Sequence, residues 1–233
     1  MIELFKIYKR LHNNYGHQGW WPLVSINGVN PTKTGSVKGY HPNDYTHPKN
    51  DEERFEICVG AILTQNTAWP NVEKSIINLK NINALTPKNL LKSDEEKLKE
   101  AIKPSGYFNQ KTKKLKIFSE FYINLKGKTP SREELLNIWG VGPETADSIL
   151  LYAYKKPSFV VDTYTKRIFS RIGVLKKDAN YEEVKELFEK TLEKDYKIYQ
   201  EYHALIVEHA KRYCQSKPNC KECILKDGCK KLF

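Results

Sequence analysis

The sequence predicts an all-α fold, and three observations support this prediction. Apolar residues recur at helical spacing, as Leu4, Tyr8 and Leu11 do at i, i+4 and i+7. A serine followed three residues later by a glutamate, the spacing of a helix capping box, occurs at Ser93 and again at Ser131. No segment shows the alternation of apolar and polar residues that is typical of a half-buried strand.

The helical elements follow in order along the chain. An amphipathic helix opens it, and the segment 16–50, rich in Gly, Pro, Asn and Thr, is predicted to be a long irregular loop, a feature that is often functional. Later helices are indicated by the apolar stripe Phe55, Cys58, Val59 and Ile62, by Pro70 at a first helical position, by Ser93 to Ile102, by Leu115 to Leu125 and by Ser131 to Ile138. Two more are predicted over roughly 181–193 and 196–213.

Composition and length place the chain among globular proteins. It has 233 residues, 39% hydrophobic and 29% charged, enough to bury a core without crosslinks. The longest apolar run, Ile57–Leu63, is too short to span a bilayer, and the N-terminus carries Glu3 and lacks the apolar core of a signal peptide. We therefore expect a monomeric cytoplasmic protein, nucleoid-associated if the cell is prokaryotic, with no membrane partner.

Basic residues exceed acidic residues by a wide margin. The chain has 39 Lys and Arg against 28 Asp and Glu, a formal net charge of +11. An excess of this size suggests a polyanionic partner, most simply nucleic acid. The alternative is a proteome biased toward Lys, since the basic residues are mostly Lys and are spread along the chain.

The cysteines divide into one isolated residue, Cys58, and a C-terminal group of four: Cys214, Cys220, Cys223 and Cys229. Without a signal peptide, a metal site is favoured over a disulfide framework. Four soft thiolates suit either a [4Fe–4S] cluster or structural zinc. Zinc sites usually contain two Cys-x2-Cys pairs, and only one is present here, so the residues alone leave both the cluster and zinc open. The six histidines show no spacing typical of metal ligands, and we assign them no functional role.

A hairpin between two helices is predicted at Gly140-Val141-Gly142, where one helix ends and another begins at Pro143. The two glycines can adopt positive φ, and Val141 can pack inward. The N-terminus of the second helix then offers free backbone N–H groups to an anion such as a DNA phosphate. Gly140, Val141, Gly142 and Thr145 are therefore candidate DNA-binding residues. The alternative is a plain turn between antiparallel helices.

A single carboxylate, Asp162, follows the apolar run Phe159–Val161 and precedes a predicted helix, a position that also suits an ordinary N-cap. Hairpin and carboxylate together resemble the helix-hairpin-helix-GPD superfamily of DNA glycosylases, in which the hairpin precedes a Gly/Pro segment and an essential Asp. Leu63–Thr67 is similar to the Gln-bearing motif of the endonuclease III branch, and Pro104–Lys111 to its conserved loop. The terminal cysteines resemble its iron–sulfur loop, although their first gap is one residue shorter than usual. The matched motifs span residues 20 to 229.

The resemblance implies two helical domains, one of which carries the helix-hairpin-helix and the other a [4Fe–4S] cluster loop. Residues 1–50 would supply an N-terminal helix and the long loop of the cluster domain. Residues 51–156 would form a six-helix barrel domain that contains the hairpin. Residues 157–233 would complete the cluster domain, with its four cysteines at 214–229.

The resemblance also implies a reaction, the hydrolysis of an N-glycosidic bond in double-stranded DNA that contains a damaged base. Asp162 would stabilise positive charge on the sugar or accept a proton from water. Gln65 matches a residue placed near the gap left in the duplex. Bifunctional relatives carry a Schiff-base Lys where this chain has Glu144, so we expect a monofunctional enzyme. The alternatives are a glycosylase-lyase that recruits another Lys, and a noncatalytic DNA-binding module.

Aromatic residues near the N-terminus suggest the substrate. Trp20-Trp21-Pro22 and Phe55 resemble the base pocket of bacterial 3-methyladenine glycosylases of the same branch. N-alkylated purines are cationic and stack well on electron-rich rings. For all these aromatics the alternative is core packing, and uracil, mismatched thymine or an oxidised base are alternative substrates. The segment between Pro22 and Asp51 is longer than expected for that relative, and a surface insertion is the favoured interpretation.

Overall fold

The molecule, seen in a computed structural model that describes residues 2–33 and 38–232, is built from α-helices. These helices are α1 (Ile2–Tyr15), α2 (Asp51–Leu63), α3 (Trp69–Asn81), α4 (Pro87–Lys92), α5 (Glu95–Ile102), α6 (Phe108–Asn124), α7 (Arg132–Leu136), α8 (Pro143–Ser148), α9 (Thr163–Ile172), α10 (Tyr181–Thr191) and α11 (Tyr196–Arg212). A π-helical turn, Ile149–Ala153, continues α8. The described residues contain no strand, which confirms the all-α prediction. No helix in these ranges is long and apolar enough to cross a bilayer.

Two details of the helix prediction are wrong. The range 51–156 contains seven α-helices instead of six, because the short helix α4 buries only Leu90 and so shows no periodic stripe. The capping box at Ser93 does not form. Asp94, one residue later, caps α5 by accepting a hydrogen bond from the Lys97 amide at 3.0 Å, while the Ser93 hydroxyl donates back to the Asn89 carbonyl. The box at Ser131 and Glu134 is present as predicted.

Helix α2 is the centre of the larger group of helices. Every residue from Phe55 to Leu63 is buried, and the helix packs against α3, α6 and the π-helical turn. Helices α1 and α9 pack against α11, which is buried over most of its length. One continuous apolar core joins the two groups, so the predicted boundary after residue 156 stays a prediction.

The described parts of the segment 16–50 are packed against the core, although they form no helix. Leu23 and Tyr40 are buried, and the Val24 amide donates to the Glu56 carboxylate at 2.7 Å. A ring nitrogen of His41 lies 2.9 Å from the Trp21 carbonyl oxygen. These contacts anchor the segment beside Trp21 and α2, while most of its other described residues are partly or fully exposed, so the interpretation as a surface insertion stays a prediction.

Candidate active site and hairpin

Asp162 is a buried carboxylate at the N-terminus of α9. Its Oδ1 caps the helix by accepting hydrogen bonds from the Thr165 amide at 2.7 Å and the Thr165 hydroxyl at 2.8 Å. Its Oδ2 lies 3.7 Å from Nε2 of His203. Burial alone would raise the pKa of Asp162, but His203 and Thr165 outweigh it and hold the pKa below its usual value. Asp162 is therefore both a helix cap and an anion at neutral pH.

His203 is the residue in this site that sequence reasoning missed. It lies on α11, is almost fully buried, and places Nδ1 2.7 Å from the Tyr152 hydroxyl. A series of polar contacts therefore connects Asp162 through His203 to Tyr152. No local motif signals His203, because its partners come from segments distant in sequence and its own helix shows only a buried face.

Glu144 faces the same site from the first turn of α8. The residue is exposed at the surface, but the surrounding protein and the negative charge of Asp162 raise the pKa of Glu144 to about 7, while His203 acts in the opposite direction. At neutral pH the site thus holds one permanent carboxylate anion and one carboxyl that exchanges protons readily. The position that carries the Schiff-base Lys in bifunctional relatives has no amine here.

Trp20 is the predicted pocket residue that lies beside the catalytic candidates. Its half-buried ring meets the His203 ring edge-on, with centroids 5.7 Å apart. Trp21 lies deeper, 5% exposed, with its ring 5.2 Å from that of Trp69. Gly60 permits this packing, because a Cβ there would come within 2.9 Å of the Trp21 Nε1.

Phe55 lies in the core. Its ring has no exposed surface and meets Tyr122 with centroids 5.1 Å apart. A base could reach Phe55 only if α2 and α6 separated. The structure therefore places Phe55, like Trp21, in the packing role that the sequence left open as an alternative, and it brings Trp20 to the site.

The predicted hairpin is present, and Gln65 braces it. Gly140 has a φ of +84°, and a Cβ there would come within 2.6 Å of the Lys114 side chain. The Gln65 amide donates to the Gly140 carbonyl at 3.0 Å and to the Thr145 hydroxyl at 2.9 Å, and accepts from Lys114. Val141 is buried, as predicted. Gln65 and Thr145 thus hold the turn in shape, and the placement of Gln65 near a gap in DNA stays a prediction.

Lys111 joins the two motifs that precede the hairpin. Its buried ammonium donates at 2.8 Å to three acceptors, namely the Leu63 carbonyl, the Thr67 hydroxyl and the Ser105 carbonyl. Burial and the nearby charge of Lys114 lower the pKa of Lys111 to about 8. Because these acceptors frame Gln65, Lys111 fixes the loop that braces the hairpin.

Two exposed aromatic residues lie in the matched motifs, Trp139 directly before the hairpin turn and Tyr107 in the loop 104–111. Trp139 is 50% exposed and Tyr107 is 67% exposed. The Lys113 ammonium lies 4.7 Å from the centroid of the Trp139 ring. Exposed rings with nearby lysines are suited to contact with bases and phosphates of DNA.

The four C-terminal thiols converge on one place. Burial raises the pKa of Cys223, and each of the other three cysteines raises it further, so all four are close enough to interact. Four thiolates in one loop are a donor set that suits a [4Fe–4S] cluster or a single zinc ion.

The cysteine loop is attached to α9. Arg167 donates to the Cys214 carbonyl at 2.7 Å, and Arg171 donates to the Gln215 carbonyl at 2.6 Å and approaches the Cys214 sulfur at 3.3 Å. The helix that Asp162 caps is thus the helix that positions the loop. Cys58 is fully buried in α2, apart from this group, as predicted.

The all-α fold, the braced hairpin and the following carboxylate define a DNA glycosylase class. The family model for HhH-GPD superfamily base excision DNA repair proteins matches residues 59–194, more than half of the chain. The chain belongs to this superfamily and is a base excision DNA repair glycosylase.

Relatives place the chain in the endonuclease III branch. A protein of Methanocaldococcus jannaschii, provisionally named a DNA repair glycosylase, is 47% identical over 97% of this chain and 95% of its own length. Endonuclease III of Thermotoga maritima is 35% identical over 78% of this chain and 86% of its own length.

Solved structures show the same fold. The H. pylori 3-methyladenine DNA glycosylase bound to 1,N6-ethenoadenine matches with a TM-score of 0.68 and 28% identity, over 91% of this chain and 98% of its own. A trapped covalent intermediate of endonuclease III with DNA matches with a TM-score of 0.76 and 21% identity, over 99% of this chain and 97% of its own.

Proposed function

We propose that this protein is a monofunctional glycosylase that removes an alkylated purine, such as 3-methyladenine, from double-stranded DNA. The observation that carries the proposal is Glu144, which faces Asp162 where bifunctional relatives place an amine. A carboxylate cannot form a Schiff base with the sugar. The likeness to the H. pylori enzyme supports the choice of substrate class.

Asp162 and Glu144 are suited to different parts of the reaction. As the bond between the base and C1′ breaks, its electron pair leaves with the base and positive charge develops on the sugar. Asp162, whose pKa lies below the usual value, is a poor base and a permanent anion, and is suited to stabilising that charge. Glu144, with a pKa of about 7, is suited to accept the proton of the water that attacks C1′.

Trp20 offers a surface for the flipped base. Its half-buried ring lies beside His203 and so next to the carboxylates. A cationic purine gains from contact with an indole face and leaves the sugar easily once extruded from the duplex. This pairing of an aromatic surface with modest catalytic machinery fits a base that is already a good leaving group.

The four cysteines would hold a [4Fe–4S] cluster in a structural role. When bound, the cluster supplies a rigid crosslink for a segment with little apolar sequence of its own. Four lysines interleave the ligands and would contact phosphates: Lys217, Lys221, Lys226 and Lys230.

A panel of duplexes tests the substrate class, each with one damaged base. We expect release of 3-methyladenine and related N-alkylated purines, and little release of uracil, thymine from a mismatch or 8-oxoguanine. Preferential release of any of these three would overturn the substrate while leaving the glycosylase assignment intact.

Borohydride should trap no covalent adduct between this protein and damaged DNA, because Glu144 offers no amine to the sugar. The measurement is a denaturing gel of the reaction with labelled duplex, with a bifunctional endonuclease III as the positive control. A shifted protein–DNA band would show that another amine attacks the sugar and that the enzyme is a lyase.

The rate of base release should rise with pH through about 7, as the Glu144 carboxyl loses its proton and becomes able to accept one from water. Glu144→Gln should lower the single-turnover rate by about 10²-fold and remove this inflection. The exposed Glu193→Gln is the matched control and should keep both. An unchanged profile in Glu144→Gln would contradict the role of Glu144 as the base.

A further inference from the structure

A second group of ligand-type side chains lies away from the cysteine loop. His12 is in the last turn of α1, His17 follows that helix, and Glu201 is on α11. One ligand atom of each lies within 4.8 Å of the others, and His12 Nε2 is 3.5 Å from His17 Nδ1. Two imidazole nitrogens and a carboxylate are a common ligand set for zinc, whose catalytic and structural sites use these atoms. We propose that His12, His17 and Glu201 bind one zinc ion.

The two imidazoles are arranged for metal binding. Their rings meet edge-on with centroids 4.6 Å apart, so that nitrogens of both point into the same space.

Glu201 is a buried carboxylate without a Lys or Arg partner among the described residues. It is 2% exposed and accepts a hydrogen bond from the Gln18 amide at 3.0 Å. No ion pair within residues 2–33 and 38–232 joins Glu201 to a Lys or Arg side chain. A buried carboxylate without a counter-charge is costly, and a divalent cation between it and the two imidazoles would supply that charge.

Tyr45 completes the surroundings of the site. Its hydroxyl lies 2.9 Å from His17 Nδ1 and also forms a hydrogen bond with Glu201. The Lys197 ammonium lies 5.8 Å from the centroid of the Tyr45 ring. Three protein ligands leave a fourth position for water.

The position of the site indicates what the ion would do. It would crosslink α1, the long segment that leads into Trp20, and α11. Helix α11 also carries His203, which lies 3.7 Å from Asp162. A zinc ion here would therefore fix the segment that brings Trp20 to the active site. This inference is independent of the base that the enzyme removes.

Metal analysis of the full-length protein, prepared anaerobically and incubated with zinc before desalting, tests the proposal. We expect about one zinc per chain in addition to iron, and an X-ray absorption spectrum at the zinc edge that fits nitrogen and oxygen ligands without sulfur. Absence of zinc from the wild-type protein, or sulfur ligands to the zinc, would overturn the site without bearing on the glycosylase activity.

Substitution of single ligands tests where the zinc ion binds. His17→Gln and Glu201→Gln should each lose the zinc while keeping the iron. The control is His47→Gln in the same long segment, whose Nδ1 lies 2.8 Å from the Glu53 carboxylate, and it should keep the zinc. Retention of zinc by both His17→Gln and Glu201→Gln would contradict the assignment. If either variant fails to fold, the spectrum of the wild-type protein decides.

Discussion

Asp162→Asn should lose most base release and keep its fold and its affinity for damaged DNA. Asparagine is neutral and cannot stabilise positive charge on the sugar, so we expect the single-turnover rate to fall by about 10²- to 10⁴-fold. The asparagine Oδ1 can still accept the two hydrogen bonds from Thr165, so the cap of α9 persists. Base release, DNA binding by fluorescence anisotropy and the melting temperature are the three measurements.

A matched substitution separates catalysis from capping. Asp94 caps α5 through the same bond from the amide three residues later, accepting from Lys97 at 3.0 Å, and lies on the surface. Asp94→Asn should leave base release unchanged. Full activity in Asp162→Asn would remove Asp162 from the reaction. An equal loss in both variants would mean that helix capping accounts for the effect.

Local sequence signals were sufficient for most of the fold. Apolar spacing predicts α1 and α2, and the Gly-Val-Gly turn predicts the hairpin, because helix periodicity and glycine conformation are properties of neighbouring residues. The same approach missed α4, which is too short to show a stripe. It also placed the cap of α5 at Ser93, one residue before the carboxylate that forms it.

The candidate site was predictable in part. Asp162 and Glu144 stand in motifs, and the structure brings both to one place. His203 and the buried Lys111 bond to groups from other segments, and such pairings leave no local pattern. The same reason hides the group of His12, His17 and Glu201, because the carboxylate lies far along the chain from the two histidines. Phe55 has a clear local signal that is ambiguous, since an aromatic residue in the apolar stripe of a helix is equally compatible with a pocket and with the core.

Loss of a cysteine from the C-terminal loop should have the second large effect, the loss of bound iron. The purified protein should be yellow-brown, with about four irons and four acid-labile sulfides per chain, because four thiolates suffice to hold one [4Fe–4S] cluster. Cys223→Ser should lose the iron. Cys58→Ala is the matched control and should keep it, because Cys58 lies buried in α2. Stoichiometric zinc bound to sulfur in place of iron would overturn the cluster.

Removal of the cluster should release the C-terminal segment before the rest of the molecule unfolds. Apart from the cluster, hydrogen bonds from Arg167 and Arg171, a few backbone bonds to the end of α9 and the ion pair of Arg10 with Asp227 hold the loop. It buries one large apolar residue, Leu225. Hydrogen exchange should therefore show residues after about 213 opening first in Cys223→Ser. Binding to DNA should weaken as well, because the interleaved lysines no longer have a fixed geometry. The slope of log K against log salt concentration should fall by about 0.9 for each phosphate that the loop ceases to neutralise. An unchanged salt slope in Cys223→Ser would show that the loop does not contact DNA, whatever metal it holds.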